Sequence, residues 1–130
     1  MTEIPAPVPS LPLSVTCTAD GRFSATMSAL AHRVAEGTGN TAVADRFTTA
    51  VTTGMNACLA HLGDDGSHTL SVELTASETD VQGYFRWARL PDEGATFTAQ
   101  LEATLASVAD RVECGHSGAD AFCCVTCVRS

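Results

Sequence analysis

The sequence predicts an α+β fold, a two-layer sandwich in which helices pack on one face of a mixed β-sheet. Three observations favour it. The chain has 130 residues, the usual size of a single domain. Hydrophobic residues make up 45% of it, which is enough to form a core. Segments with strand-like alternation are mixed with segments of helical periodicity, in the order β-α-α-β-β-α-β.

The N-terminal part of the chain divides into a tail and a first strand. Residues 1–10 contain three prolines and no periodic pattern, which predicts a flexible tail outside a single domain that spans 11–130. Apolar and polar residues then alternate over 11–17, which predicts a strand with one buried face. Pro12 favours an edge position for this strand because proline cannot donate a backbone hydrogen bond to a neighbour.

Two helices are predicted next. Apolar residues recur at helical spacing over 23–34, and a second, longer stripe extends over 42–62. The longer segment contains four threonines and Gly54, which are poor helix formers. We therefore expect tertiary packing, more than intrinsic propensity, to stabilise this helix.

The second half of the chain predicts a hairpin, a helix and a final strand. Alternation over 70–75 and 81–87, with a short polar link between them, predicts an antiparallel pair. Apolar residues over 97–112 predict a third helix. The β-rich segment 121–128 predicts a last strand, which the chain enters through a loop at 115–118.

Composition excludes several classes of function. The formal net charge is −8, and all seven basic residues are arginines, so a nucleic-acid backbone would be repelled and a basic protein partner attracted. Without lysine there is no phosphate-binding P-loop. No apolar run is long enough for a membrane span, and the N-terminus does not resemble a secretory signal. These features predict a cytoplasmic protein with mostly reduced cysteines.

Two segments, together with the order of elements, resemble a known family. Residues 44–57 (ADRFTTAVTTGMNA) are similar to a long helix that ends in E-x-x-x-N-A, and 105–113 followed by 118–120 resembles a last helix and the strand after it. This is the pattern of the anti-sigma-factor serine kinases, which have the histidine-kinase-like (GHKL) ATPase fold. The resemblance implies a bacterial regulator of transcription that binds a sigma factor or an anti-sigma antagonist, and it allows a homodimer.

The resemblance also implies a nucleotide site, and the sequence departs from its pattern. Asn56 matches the asparagine that binds Mg²⁺ in the family, but Thr52 stands at the position of the catalytic glutamate, and a threonine hydroxyl is not a base near neutral pH. Asp92 and Gly94 could be a displaced remnant of the adenine-binding D-x-G motif, although a polar turn is the favoured interpretation.

The segment between Leu90 and Phe97 is too short for a glycine-rich ATP lid. The sequence therefore predicts a pseudoenzyme that acts by protein–protein binding. Asn56, Asp92 and Gly94 are its candidate ATP-binding residues, no residue is assigned to catalysis, and binding of ATP and Mg²⁺ is doubtful. An active serine/threonine kinase with a rearranged ATP site remains an alternative.

A second alternative is a zinc- or redox-responsive module built on a C-terminal group of ligand-type residues: Cys114, His116, Cys123, Cys124 and Cys127. In a strand Cys124 and Cys127 would lie on opposite faces, which counts against a shared metal and favours a structural role.

Tyr84 and Trp87 also lie on opposite faces of one predicted strand, so both cannot be core residues. One of them is expected on an exposed sheet surface, where it would mark a partner contact, unless a helix covers it.

Overall fold

A computed structural model describes residues 13–20, 22–37, 39, 41–63, 65–90 and 95–128. It contains β1 (Leu13–Asp20), α1 (Arg22–Glu36), α2 (Thr41–Leu62), β2 (Asp65–Ala76), β3 (Asp80–Ala88), α3 (Ala95–Leu105), β4 (Arg111–Ser117) and β5 (Asp120–Val128). The predicted tail 1–10 lies outside the described residues. None of the three helices in the described part is long and apolar enough to cross a membrane.

The strands form one sheet in the order β1-β2-β3-β5-β4. All four neighbouring pairs are antiparallel, so the prediction of a mixed sheet is wrong. The reason is a strand that the sequence did not predict. The chain crosses from β3 through α3 to β4, which runs in the same direction as β3, and β5 then returns between the two, antiparallel to both.

The extra strand also corrects the predicted third helix. This helix ends at Leu105 instead of continuing to Val112, and the predicted loop at 115–118 is mostly part of β4. The tight turn after β4 contains Gly118, whose φ of 64° is readily adopted only by glycine and a few other residues. The edge position predicted for the first strand is confirmed, because β1 pairs only with β2 among the described strands.

The helices pack on one face of the sheet, as predicted. Along β3 the odd-numbered residues are buried, while the even-numbered ones are half-buried or exposed. Phe47, Met55 and Phe85 are among the largest buried side chains of the core, and all three are inaccessible to solvent. Burial of each such side chain stabilises the fold by roughly 1.5–3 kcal/mol.

Packing accounts for α2 despite its poor helix formers. Ten of its residues are buried, and the hydroxyls of Thr48 and Thr49 donate to the carbonyls of Ala44 and Asp45 at 2.7 and 3.0 Å. These bonds satisfy the threonine hydroxyls within the helix. The helix α1 lies alongside α2 and buries the small residues Ala31 and Ala35, which permit close approach.

Candidate functional site

Asn56 and Thr52 lie on the side of α2 that faces α1. The Ser24 hydroxyl donates to Oδ1 of Asn56 at 2.8 Å, and the Ser28 and Thr52 hydroxyls are hydrogen-bonded to each other one turn away. Asn56 is exposed to solvent. The amide oxygen, which is the atom that could coordinate Mg²⁺, therefore already has a protein partner on α1.

The opposite side of α2 faces α3, and side chains fill the space between these helices and β3. The ring of His61 stacks on Phe97 with centroids 3.7 Å apart and an interplanar angle of 6°. Trp87 of β3 contacts both rings edge-on, at 6.5 and 5.7 Å. Aromatic rings thus occupy the junction of α2, β3 and α3, where the chain leaves β3 toward α3.

Of the three predicted nucleotide-binding residues, the structure describes only Asn56. Asp92 and Gly94 lie outside the described residues, and Asn56 faces α1, away from the α2–α3 junction. The only carboxylate on α2 is Asp45, near the start of the helix, where it lies 4.0 Å from Nε2 of His32.

A groove of about 410 Å³ lies between the first half of α2 and the segment after α3. It is lined by Asp45, Arg46, Thr49 and 107–109. Arg46 donates from Nη2 to Oδ2 of Asp110 at 2.5 Å, and the backbone N–H of Val128 donates to the same oxygen at 2.6 Å. Asp110 thereby connects α2 to the end of β5, which is a structural role.

These bonds predict a pH-dependent contribution to stability. The hydrogen bonds from the backbone N–H of Val128 and then from Arg46 lower the pKa of Asp110. The ionised carboxylate therefore stabilises the fold fully above the ordinary carboxyl pKa near 3.8. This stabilisation is lost as pH falls through the lower pKa of the folded state. Because Asp110 is 35% exposed, we expect Asp110→Ala to cost only about 1 kcal/mol at pH 7. Urea unfolding of both proteins at pH 7 and near pH 2 would test this, and an equal difference at both pH values would contradict it.

The cysteines of β5 alternate between the two faces of the sheet, as predicted. Cys123 and Cys127 are buried beneath the helices, whereas Cys124 is half-buried on the other face. Within the described part of the chain, no group of three or more histidine, cysteine or acidic side chains is arranged to hold a metal ion. The zinc interpretation therefore gains no support from this part of the structure.

The sheet face opposite the helices, here called the open face, has an aromatic centre. Tyr84 of β3 and Phe122 of β5 meet edge-to-face with centroids 5.9 Å apart, and both are half-buried. Trp87 is buried on the helix side, so Tyr84 is the aromatic residue that the alternation of this strand places outside. Phe122 was not among the predicted site residues, although its place in an alternating strand next to Cys123 was a usable signal.

Two hollows flank this aromatic pair. One, of about 540 Å³, is lined by Gln82, Arg111, Val112, Glu113, Cys124 and Thr126. The other, of about 360 Å³, is lined by His68, Thr69, Ser71, Arg86, Trp87, Ala88 and Asp120. An aromatic centre with a rim of mixed charge is typical of protein–protein interfaces. No helix of the described chain covers this face.

Comparison with known proteins gives a likeness in fold. No protein-family profile matches the chain, and no curated protein sequence does. The structure is similar to the crystal structure of the RsbU and RsbW domains of Rv1364c from Mycobacterium tuberculosis, with a TM-score of 0.68 and 13% sequence identity. The match covers 98% of this chain and 34% of that chain, so the present chain spans about a third of that structure.

Proposed function

We propose that this protein is a regulatory domain of the anti-sigma type, which acts by binding a basic partner protein on its open face and does not hydrolyse ATP or transfer phosphate. The Tyr84–Phe122 pair between two hollows is the observation that carries the proposal. The sequence resemblance to anti-sigma-factor serine kinases and the fold shared with a structure that contains an RsbW domain support the same class.

The charge of the protein supports a basic partner. The formal net charge is −8, and the rim of the open face includes Glu73, Glu113 and Asp120 beside Arg86 and Arg111. Arg111 lies 3.5 Å from Asp80, which offsets part of its charge. Such a surface favours encounter with a positively charged protein and provides polar contacts around the aromatic centre. By resemblance, the partner is a sigma-factor domain or an anti-sigma antagonist.

The absence of ATP chemistry in this proposal is supported by the surroundings of α2. The amide oxygen of Asn56 accepts a hydrogen bond from Ser24, Thr52 provides no base, and the His61–Phe97 stack fills the helix junction. Isothermal titration with ATP and Mg²⁺ is expected to give no binding heat at micromolar concentrations. A micromolar affinity, or transfer of labelled phosphate to an antagonist protein, would instead favour the active-kinase alternative.

Binding to a defined partner tests the proposed surface. We expect one purified sigma-factor domain or antagonist from the source bacterium to bind, and Tyr84→Ala to weaken this binding at least tenfold, roughly the effect of one interface hot spot. Glu102→Ala, at an exposed position of α3, is the control and should leave the affinity unchanged. The proposal fails if none of these proteins binds, or if Tyr84→Ala retains full affinity while remaining folded. If size-exclusion chromatography shows that the free protein is a dimer, a second copy of the chain would be the occupant of the open face instead.

A further inference from the structure

A pair of cysteines faces each other across the β4–β5 hairpin. Cys114 lies directly opposite Cys123, and their thiols are hydrogen-bonded to each other. Cys123 is fully buried, whereas Cys114, on the edge strand, is half-buried and reachable from solvent. Cys58 of α2 is a further buried thiol near Cys123. The proposed function does not use any of these thiols.

The hairpin register gives this pair the geometry of a cross-strand disulfide. Ser117 and Asp120 flank a two-residue turn and form the first, hydrogen-bonded pair of the hairpin. Hydrogen-bonded and non-hydrogen-bonded pairs alternate from there, so Cys114–Cys123 is a non-hydrogen-bonded pair. The Cα atoms of such pairs are about 4.5 Å apart, which lies within the range of disulfides, roughly 4.4–6.8 Å.

A backbone hydrogen bond between the ends of β3 and β5 confirms this alternation. The backbone N–H of Arg89, just beyond β3, donates to the carbonyl of Ala119 at 2.9 Å. Odd-numbered residues at the start of β5 therefore direct their backbone groups toward β3. At Cys123 the backbone thus bonds to Phe85 of β3, and the side facing Cys114 is free of ladder hydrogen bonds.

We propose that Cys114 and Cys123 form a redox-active dithiol, which small-molecule disulfides convert to an intramolecular disulfide. The Cys114 thiolate attacks one sulfur of the small disulfide R–S–S–R, a Cys114–S–S–R bond forms, and one R–S⁻ leaves and takes up a proton. Cys123 then loses its proton and attacks the Cys114 sulfur, which expels the second R–S⁻. Two protein thiols are oxidised, and one small disulfide is reduced to two thiols.

The two thiols have different roles because their environments differ. Only Cys114 is accessible to an external disulfide, so the first step occurs there. The hydrogen bond that the Cys123 thiol donates to the Cys114 sulfur, and then burial, raise the pKa of Cys123. In the mixed disulfide the Cys114 sulfur is no longer a thiol, but burial still raises the pKa of Cys123. The closing step therefore starts from a protonated thiol, and it should become faster as pH rises. The resulting bond would connect the edge strand β4 to β5 without a change of register.

Peptide mapping of the native protein tests the proposal. The folded chain would be incubated with glutathione disulfide at about pH 7–9. The remaining free thiols would then be blocked with an alkylating agent, and the protein would be cleaved on the N-terminal side of aspartate. Cleavage at Asp110 and Asp120 releases Cys114 on one peptide and Cys123, Cys124 and Cys127 on the next. The expected product is a covalent link between the two peptides that lowers the intact mass by two hydrogen atoms.

Serine variants identify the two thiols. The Cys124→Ser variant lacks the neighbouring thiol on the opposite face and should still form the Cys114–Cys123 disulfide, which makes it the matched control. Cys114→Ser should form no link, and Cys123→Ser should stop at the glutathione adduct on Cys114. A link that survives either of these two substitutions, a bond from Cys58, or wild-type protein that stops at the adduct would overturn the proposal. The peptide map of the wild-type protein tests the proposal by itself, even if a variant does not fold.

Discussion

Replacing Phe85 by alanine is expected to lower the free energy of unfolding by about 3–5 kcal/mol. Phe85 is fully buried in the middle of β3, and its ring lies directly beneath Gly54 of α2. A Cβ atom on Gly54 would lie only 3.1 Å from two ring carbons, so the glycine and the ring fit against each other closely. Without the ring, α2 has no side chain at this position to fill the cavity. Urea unfolding followed by circular dichroism would measure the loss.

Tyr84→Ala provides the matched control, because it removes the adjacent aromatic residue of the same strand from the opposite face. Tyr84 is half-buried and its main described contact is the edge-to-face pair with Phe122, so its removal should cost about 1 kcal/mol. The two variants should therefore separate stability from partner binding. Equal losses of stability at the two positions would contradict the assignment of Phe85 to the core and Tyr84 to the open face.

Local periodicity predicted the part of the fold in which each element has a clear pattern of its own. In β3 the alternation of Phe85 with Tyr84 and Arg86 was sufficient to predict a strand with one buried face, and the short link to β2 predicted the antiparallel pair. The stripe of α2 predicted its position and length closely. In these elements the burial that stabilises the structure is visible in the spacing of apolar residues.

The strand β4 could not be predicted in the same way, because two patterns overlap around it. Leu101, Leu105, Val108 and Val112 have helical spacing, yet the backbone turns after Leu105. Val112, Cys114 and His116 alternate with Glu113 and Gly115, but a glycine inside a short strand weakens the pattern and favours a loop when only local sequence is considered. Pairing of β4 with β5, which is a contact between two strands, decides between the two patterns. Because β4 was not predicted, the sheet was also predicted to be mixed instead of antiparallel.

The direction of Asn56 likewise depends on tertiary packing. The sequence placed Asn56 and Thr52 one turn apart on one helix, which the structure retains, but it could not determine which neighbour this side of α2 faces. Ser24 and Ser28 of α1 are their partners. A hydroxyl on an amphipathic helix gives no indication from sequence of whether it will meet solvent or a neighbouring helix. The Tyr84–Phe122 pair of the open face is also a non-local contact, because α3 and β4 separate its two strands in the sequence.

A large side chain at Gly83 is expected to destabilise the protein by about 3 kcal/mol. Gly83 lies on the helix-facing side of β3, where a Cβ atom would be 3.3 Å from methyl groups of both Val51 in α2 and Val125 in β5. Both valines are inaccessible to solvent, so neither has room to move away. Gly83→Ile adds three further carbon atoms at this point and must push α2 away from the sheet. Thermal and urea unfolding would measure the effect.

Gly115→Ile is the control because Gly115 is also a strand glycine, but it lies on the open face of the edge strand β4. A Cβ atom there would be 3.4 Å from the Phe122 ring, an ordinary contact, and the rest of the side chain could extend toward solvent. Since a β-branched residue favours strand geometry more than glycine does, this variant should be neutral or slightly more stable. If both substitutions cost the same, loss of glycine itself would explain the effect at Gly83. A loss confined to Gly83 would instead show that α2 depends on direct contact with the strand backbone at the middle of the sheet.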